Sequence, residues 1–283
     1  MPDQISKAVL ITGCSTGIGR ATALRLAARG WSVYASARRL DAIADLAQHG
    51  CKTLALDVCD EASMRAAVAQ IERAEGAVGV LINNAGYGQD GAIEEVPIDA
   101  VRRQFETNVF GLVRLTQLVL PGMRRQHWGR VINVSSMGGR LTFPGGGFYH
   151  ATKYAVEAIS DALRFEVRGF GIDVVVVEPG PIKTQFEDTS LGTMDTAAEI
   201  AASPYADFNA SVAKRIRGTY KGPMAAGPEA VARAIEKAVS AKHPRTRYPV
   251  TAAARLLMLT RRILPDRAWD AVLRMQFKAP RTE

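Results

Sequence analysis

Six short apolar runs, several rich in β-branched residues, recur through the first two thirds of the chain at residues 7–11, 32–36, 52–56, 78–82, 131–134 and 172–177. A segment with helical periodicity follows each of the first five. Strands that are apolar on both faces must be covered on both sides, and strands joined through helices run parallel with right-handed crossovers. The pattern predicts an α/β fold built on one doubly wound parallel sheet flanked by helices.

The intervening helices fall near residues 19–29, 40–46, 61–75 after Asp60, 98–125 as one long stretch, and 151–167. Beyond Pro179 the rhythm changes. Residues 184–204 read as a loop or short-helix lid, within a lid region of 181–217. Helices are expected at 205–217 and at 228–240, the second opened by Pro228, with a last strand at 245–250. Helices at 252–262 and 267–277, separated by Pro265, complete a basic helical C-terminal extension over 242–283. With no repeat or long linker, residues 1–283 are expected to form a single domain.

A chain that is 47% hydrophobic and 23% charged has ordinary globular composition. No run of about 18 apolar residues lacks a charge, so no transmembrane segment is expected. Without an apolar leader at the N-terminus, a secretory signal is not expected either. Cys14, Cys51 and Cys59 are too few and too scattered for a disulfide framework. Their spacing and that of the four histidines fit no metal site, and a reducing cytoplasm is the expected location. The net charge of +8 sits mostly in the tail, where residues 242–283 carry ten Lys or Arg against three acids. No zinc finger or recognition-helix pattern accompanies it, so nucleic acid is not an expected partner. Leu256 to Leu259 beside Arg255, Arg261 and Arg262 suit peripheral contact with a membrane surface, or, as the preferred reading, cover for a substrate site or subunit interface.

Three stretches at the carboxyl ends of the runs carry chemistry. Gly13, Ser15, Thr16, Gly17, Ile18 and Gly19 read as a glycine turn opening a helix, whose free N–H groups favour a phosphate. Arg38 and Arg39 stand at the end of the second run, where a carboxylate would take ribose hydroxyls and an arginine suits a 2′-phosphate; the pair favours NADP(H) over NAD(H). Asp57 after the third run can accept from an adenine amino group, and Asn84, Ala85 and Gly86 follow the fourth beside the same crevice. The fifth run ends in Ser135 and Ser136. Tyr149 and Lys153 follow, four apart on one helical face, where a nearby ammonium lowers a phenol's pKa and prepares it for proton transfer. His150, one residue round the helix, is expected to turn away.

As a set, the Thr12-Gly13-x-x-x-Gly17-x-Gly19 turn, Asn83-Asn84-Ala85-Gly86, Asp57, Asn108, Ser136 thirteen residues before Tyr149, Tyr149-x-x-x-Lys153, and Pro179-Gly180 followed by Thr184 resemble the short-chain dehydrogenase/reductase family over roughly residues 5–185. The resemblance implies a Rossmann-type fold and a tetrad of Asn108, Ser136, Tyr149 and Lys153. Tyr149 would be the general acid or base, Lys153 would tune it and bind the nicotinamide ribose, Asn108 would hold a water linking Lys153 to solvent, and Ser136 would orient the substrate oxygen. It places Ile18 at the pyrophosphate, Asp57 and Val58 at adenine, Asn84 at the adenosine ribose, and Pro179, Gly180, Ile182 and Thr184 towards the nicotinamide. It also implies a homodimer or homotetramer. The leucines and valines of 109–120 suit such an interface, or equally cover for the sheet.

The substrate would be a small-molecule carbonyl or secondary alcohol. Its pocket is expected from residues after Ser136, the stretch after Tyr87 and the lid, where Leu141, Phe143 and Pro144, with Phe186, Leu191 and Met194, give an apolar lining that suits a bulky compound. The wording around Tyr149 and the extended C-terminus resemble the branch acting on hydroxysteroids, retinoids and lipid-like carbonyls. The alternatives are a member of the family acting on small polar carbonyls and a dinucleotide-binding regulatory protein without turnover.

Overall fold

The strands form because their residues alternate between two apolar faces. In β1 (Val9–Ile11), Val9 and Ile11 enter one buried cluster and Leu10 the other. The computed structural model describes residues 5–198, 203–222 and 224–277. After β1 come α1 (Gly17–Ala27), β2 (Val33–Ala37), β3 (Lys52–Ala55), α2 (Glu61–Glu75), β4 (Val80–Asn83), α3 (Ile98–Phe105), α4 (Gly111–Arg125), β5 (Gly129–Val134), α5 (Gly147–Glu166) and β6 (Ile172–Glu178). Then follow α6 (Phe186–Ala198), α7 (Ala206–Lys221), α8 (Pro228–Ser240), β7 (Arg247–Pro249), α9 (Ala252–Ile263) and α10 (Asp266–Arg274).

All seven strands are parallel, in the order β3-β2-β1-β4-β5-β6-β7. The order reverses at β1, which pairs with β2 on one side and β4 on the other. A reversal of this kind opens a crevice beyond the carboxyl ends of the two central strands. One face of the sheet is covered by α1 and α8 through Ala23, Leu26, Val231 and Ile235. The other is covered by α2 and α4 through Met64, Val68, Ile71, Leu115 and Val119. Val109 and Leu112 are buried as well. Of the apolar residues of 109–120, Leu115 and Val119 therefore cover the sheet within one chain.

Several boundaries follow local chemistry. Asp60 caps α2 by accepting from Ala62 N at 2.9 Å, and Pro228 opens α8. The long helix expected over 98–125 is interrupted. Residues 106–110 form a π-helical turn, a widening that offsets the flanking helices and places Asn108 inside. The fifth helix starts at Gly147, earlier than its periodicity indicates, so Tyr149 lies in its first turn. The lid is more regular than its composition predicts, because α6 begins at Phe186. The parts of the lid at 199–202 and of the extension at 278–283 lie outside the described residues.

At one border of the sheet β7 is three residues long and ends in Pro249. Its Arg247 is held by Asp161 at 2.7 Å, Glu157 at 3.0 Å and Glu178 at 3.5 Å.

Candidate active site

A cavity of about 1020 Å3 runs along the carboxyl ends of the strands. Its first end is built by the turn between β1 and α1. Gly13 and Gly17 have φ of +72° and +55°, a left-handed conformation that glycine adopts without strain. Gly19 has a different reason: a Cβ there would overlap the Gly13 carbonyl oxygen and press on Asn84 Nδ2 at 2.6 Å. Thr16 precedes α1 without a side-chain cap, and no acid occupies the first turn, so the helix presents unpaired N–H groups. Gly13, Ser15, Thr16, Gly17 and Ile18 all line the cavity.

Gly19→Ala is expected to destabilise the chain by about 1–3 kcal/mol, the usual cost of overpacking, and to weaken dinucleotide binding. Thermal melting and a cofactor titration check both; an alanine variant with unchanged melting and affinity would contradict the close contact.

The second turn braces the first. Asn84 Nδ2 donates to Thr12 O at 2.9 Å and Gly13 O at 3.2 Å, while Thr12 Oγ1 accepts from the backbone N–H of Asn84 and Ala85, each at 3.0 Å. Asn84 lines the cavity with Ala85 and Gly86, but its amide is committed to this brace. Arg38, Asp57 and Val58 line the far end. No described carboxylate pairs with Arg38. Arg39 is not part of the lining: it is exposed and lies 3.7 Å from Asp41. Beyond the last residue of β2 the two adjacent side chains diverge, so only one guanidinium reaches the crevice.

Ser136, Tyr149 and Lys153 come together at the centre, with Pro179, Gly180, Ile182 and Thr184 beside them. Ser136 Oγ accepts from Gly138 N at 3.0 Å and faces the phenol. The Tyr149 ring packs at a tilt of 60° against Phe186, with centroids 5.4 Å apart. Lys153 Nζ lies 5.8 Å from the centre of that ring and donates to Val134 O at 2.9 Å. Burial pushes Lys153 down to about 8. Burial also pushes Tyr149 up to about 12, against a lowering influence from Ser136 and with a further rise from the charge of Asp90. The sequence predicts a phenol lowered by its ammonium neighbour. Here desolvation is the larger effect, because the ammonium is aimed at a backbone carbonyl.

Asn108 is buried behind Gly86, outside the lining. Its Oδ1 accepts from Tyr87 N at 3.1 Å, and its Nδ2 donates to Tyr87 O at 2.9 Å and Thr152 Oγ1 at 3.1 Å. These contacts tie the β4 loop to α5.

The lid contributes Phe186, Thr189 and Ser190 from one face of α6. Leu191, expected in the lining, falls on another face, while Met194, one turn beyond Ser190 on the same face, is buried outside the lining. Residues 212, 215, 216, 219 and 220 of α7 form a stripe along the wall, and Ala253 and Leu257 of α9 close it. The C-terminal extension therefore covers the cavity, while Leu256, Leu259 and Ile263 remain exposed. Asp90, from the stretch after Tyr87, is part of the lining, and so is His150, which the sequence turns away. Asp90 follows the β4 turn, and His150 is brought to the wall when Phe143 to Gly146 fold across the start of α5. Helical rotation separates His150 from Tyr149 but not from this loop.

Among the described residues there is no cluster that could hold a metal, all three cysteines are free, and no helix is long and apolar enough to cross a membrane.

A family profile described as short chain dehydrogenase matches residues 7–194. The chain is 37% identical over 254 residues to mouse 17-beta-hydroxysteroid dehydrogenase type 1, covering 85% of this chain and 72% of that protein. It is 35% identical over 283 residues to the NADPH-dependent 3-dehydrocapnine reductase of Ornithobacterium rhinotracheale, covering 95% and 96%. The crystal structure of a short-chain dehydrogenase from Streptomyces avermitilis superposes with a TM-score of 0.78 at 34% identity, covering 95% of this chain and 98% of that one.

Proposed function

Since this chain belongs to the short-chain dehydrogenase/reductase family and is an oxidoreductase of that family, we propose that it is an NADP(H)-dependent enzyme acting on a bulky, largely apolar carbonyl or secondary alcohol. The observation that carries the reading is the convergence of Ser136, Tyr149 and Lys153 in one cavity with the uncapped turn of α1.

The residues present fit a phosphorylated dinucleotide. The free N–H groups of the α1 turn suit a pyrophosphate, and Arg38, with no acidic partner among the described residues, suits a 2′-phosphate. Asp57 and Val58 would border adenine, and Ile182 and Thr184 the carboxamide. The chemistry the cofactor supplies when bound is hydride transfer at nicotinamide C4.

Ser136 orients the substrate oxygen, and Tyr149 gives that oxygen a proton in reduction or removes one in oxidation. A phenol pushed up to about 12 is fully protonated at neutral pH and ready to donate. Lys153 adds positive charge beside the oxygen as negative charge develops there. Asn108 holds Tyr87 and α5 in register. Phe143, Pro144, Phe186, Val212, Ile216 and Leu257 supply the apolar part of the wall and exclude water. The dehydrocapnine reductase similarity supports NADPH and carbonyl reduction, and the hydroxysteroid dehydrogenase similarity supports a bulky substrate. A cytoplasmic homodimer or homotetramer is part of the same reading: Phe110, Tyr154 and Phe165 leave large exposed aromatic surface around the π-helical turn and α5.

A screen of long-chain ketones, steroid ketones and small polar ketones with NADPH and NADH tests the function; turnover of none would remove it. Arg38→Glu is expected to reverse cofactor preference, lowering kcat/KM with NADPH by about tenfold to a hundredfold, or about 1.4–2.7 kcal/mol, with little loss for NADH. Equal losses with both cofactors would remove Arg38 from phosphate recognition.

A further inference from the structure

The substrate end of the cavity holds two acceptors that the mechanism does not use. The imidazole of His150 has its Nδ1 3.0 Å from Gly138 O. A carbonyl oxygen only accepts, so Nδ1 carries the proton and donates. Burial lowers His150 to about 4, so the ring is neutral near pH 7 and its Nε2 is left as an acceptor. A Cβ built on Gly146 would stand 2.9 Å from that Nε2 and 3.2 Å from Asp90 Oδ1. The two acceptors therefore flank one small volume, kept clear because residue 146 has no side chain.

Asp90 is surrounded by protein yet keeps part of its surface towards the cavity. No ion pair reaches it from any described cation. Ser190 Oγ lies beside it and favours the charged form, without a hydrogen bond of ordinary geometry. Burial raises the carboxyl to about 6, which leaves it mostly ionised at pH 7 and above. Its charge raises the pKa of Tyr149 and of Tyr220. An uncompensated carboxylate this close to the phenol opposes the negative charge that builds on the substrate oxygen during reduction. A positive group seated beside it would remove that opposition, and an ammonium has three donors for two acceptors.

We propose that Asp90 and His150 Nε2, on either side of Gly146, form an ammonium subsite, so that the favoured substrate is a ketone bearing a primary amine close to the carbonyl carbon. This rests on the carbonyl reductase reading above and narrows its substrate class. The apolar wall then takes the remainder of the molecule, and the amine fixes which end of it meets Tyr149.

The test uses a long-chain α-amino ketone and the parent ketone lacking the amine, with NADPH, on the full chain. It adds calorimetric titration of the corresponding amino alcohol and plain alcohol in the presence of NADP+, a binding readout independent of turnover. The unaltered chain is expected to favour the amino ketone in kcat/KM by at least about thirtyfold, as charge-assisted contacts in a water-poor site warrant. Asp90→Asn is expected to collapse that ratio to within about threefold. Gly146→Ala, at a φ of −104° that alanine adopts freely, is expected to lower it by filling the gap. The titrations should show the same loss of preference. Equal affinity for both alcohols in the unaltered chain, or equal proportional losses on both ketones in the two variants, would overturn the subsite and leave the reductase reading standing. Turnover of neither ketone, with the amino alcohol still preferred in the titrations, would overturn the reductase reading and leave the subsite standing.

Discussion

Replacing Tyr149 by phenylalanine is expected to reduce kcat by at least about a hundredfold, the scale of a lost general acid, with NADPH affinity held within about threefold. The substitution keeps the ring that packs against Phe186 and His150, with centroids 5.4 and 5.6 Å away, so the wall of the cavity stays in place. Only the hydroxyl facing Ser136 is lost. Steady-state kinetics in both directions, with a fluorescence titration of NADPH, separate chemistry from binding. A phenylalanine variant that turns over at the original rate would remove Tyr149 from proton transfer.

The second large effect joins activity to stability. Lys153 is 6% exposed, its Nζ donates to Val134 O, and burial holds its pKa at about 8 against an ordinary 10.5. Its charged form is therefore disfavoured in the folded chain. Below pH 8 the folded chain carries that penalty in full. Between pH 8 and 10.5 the unfolded chain binds the extra proton, so stability rises with pH, and above 10.5 the penalty is gone. Lys153→Met is expected to abolish turnover and, at pH 7 without cofactor, to raise stability by about 1–3 kcal/mol after the loss of the Val134 bond. The difference in denaturation midpoint between the two chains should shrink from pH 8 upward. A difference that stays constant across that range would mean the ammonium is not destabilising where it sits.

Much of this architecture was legible from local patterns. Asp60 and Pro228 marked the starts of two helices because a side-chain acceptor and a fixed φ act within a few residues. The six apolar runs gave the parallel sheet, and the glycine turn, Ser136, Tyr149 and Lys153 fell together because a strand's end and the following helix share one crevice. What was illegible depended on contacts between segments distant in sequence. The π-helical turn has no distinctive composition; it shows in how Asn108 reaches both Tyr87 and Thr152. Arg38 and Arg39 are indistinguishable as letters, and only the chain direction after Ala37 separates them. Helical rotation alone turns His150 from Tyr149, and it carries no information on the loop from Phe143 that folds over it. Of the apolar lid residues Phe186 lines the cavity, Leu191 is turned aside by the helical phase of α6, and Met194 is buried one turn beyond Ser190, where only the packing of the lid decides its place.

The Arg247 strand has a bearing on how copies of this chain assemble. A sheet border of three residues, closed by a proline and hemmed by three carboxylates on its arginine, offers almost no free backbone for another sheet to join. Association by continuing the sheet across that margin is disfavoured, and contacts between subunits on this side fall to side chains.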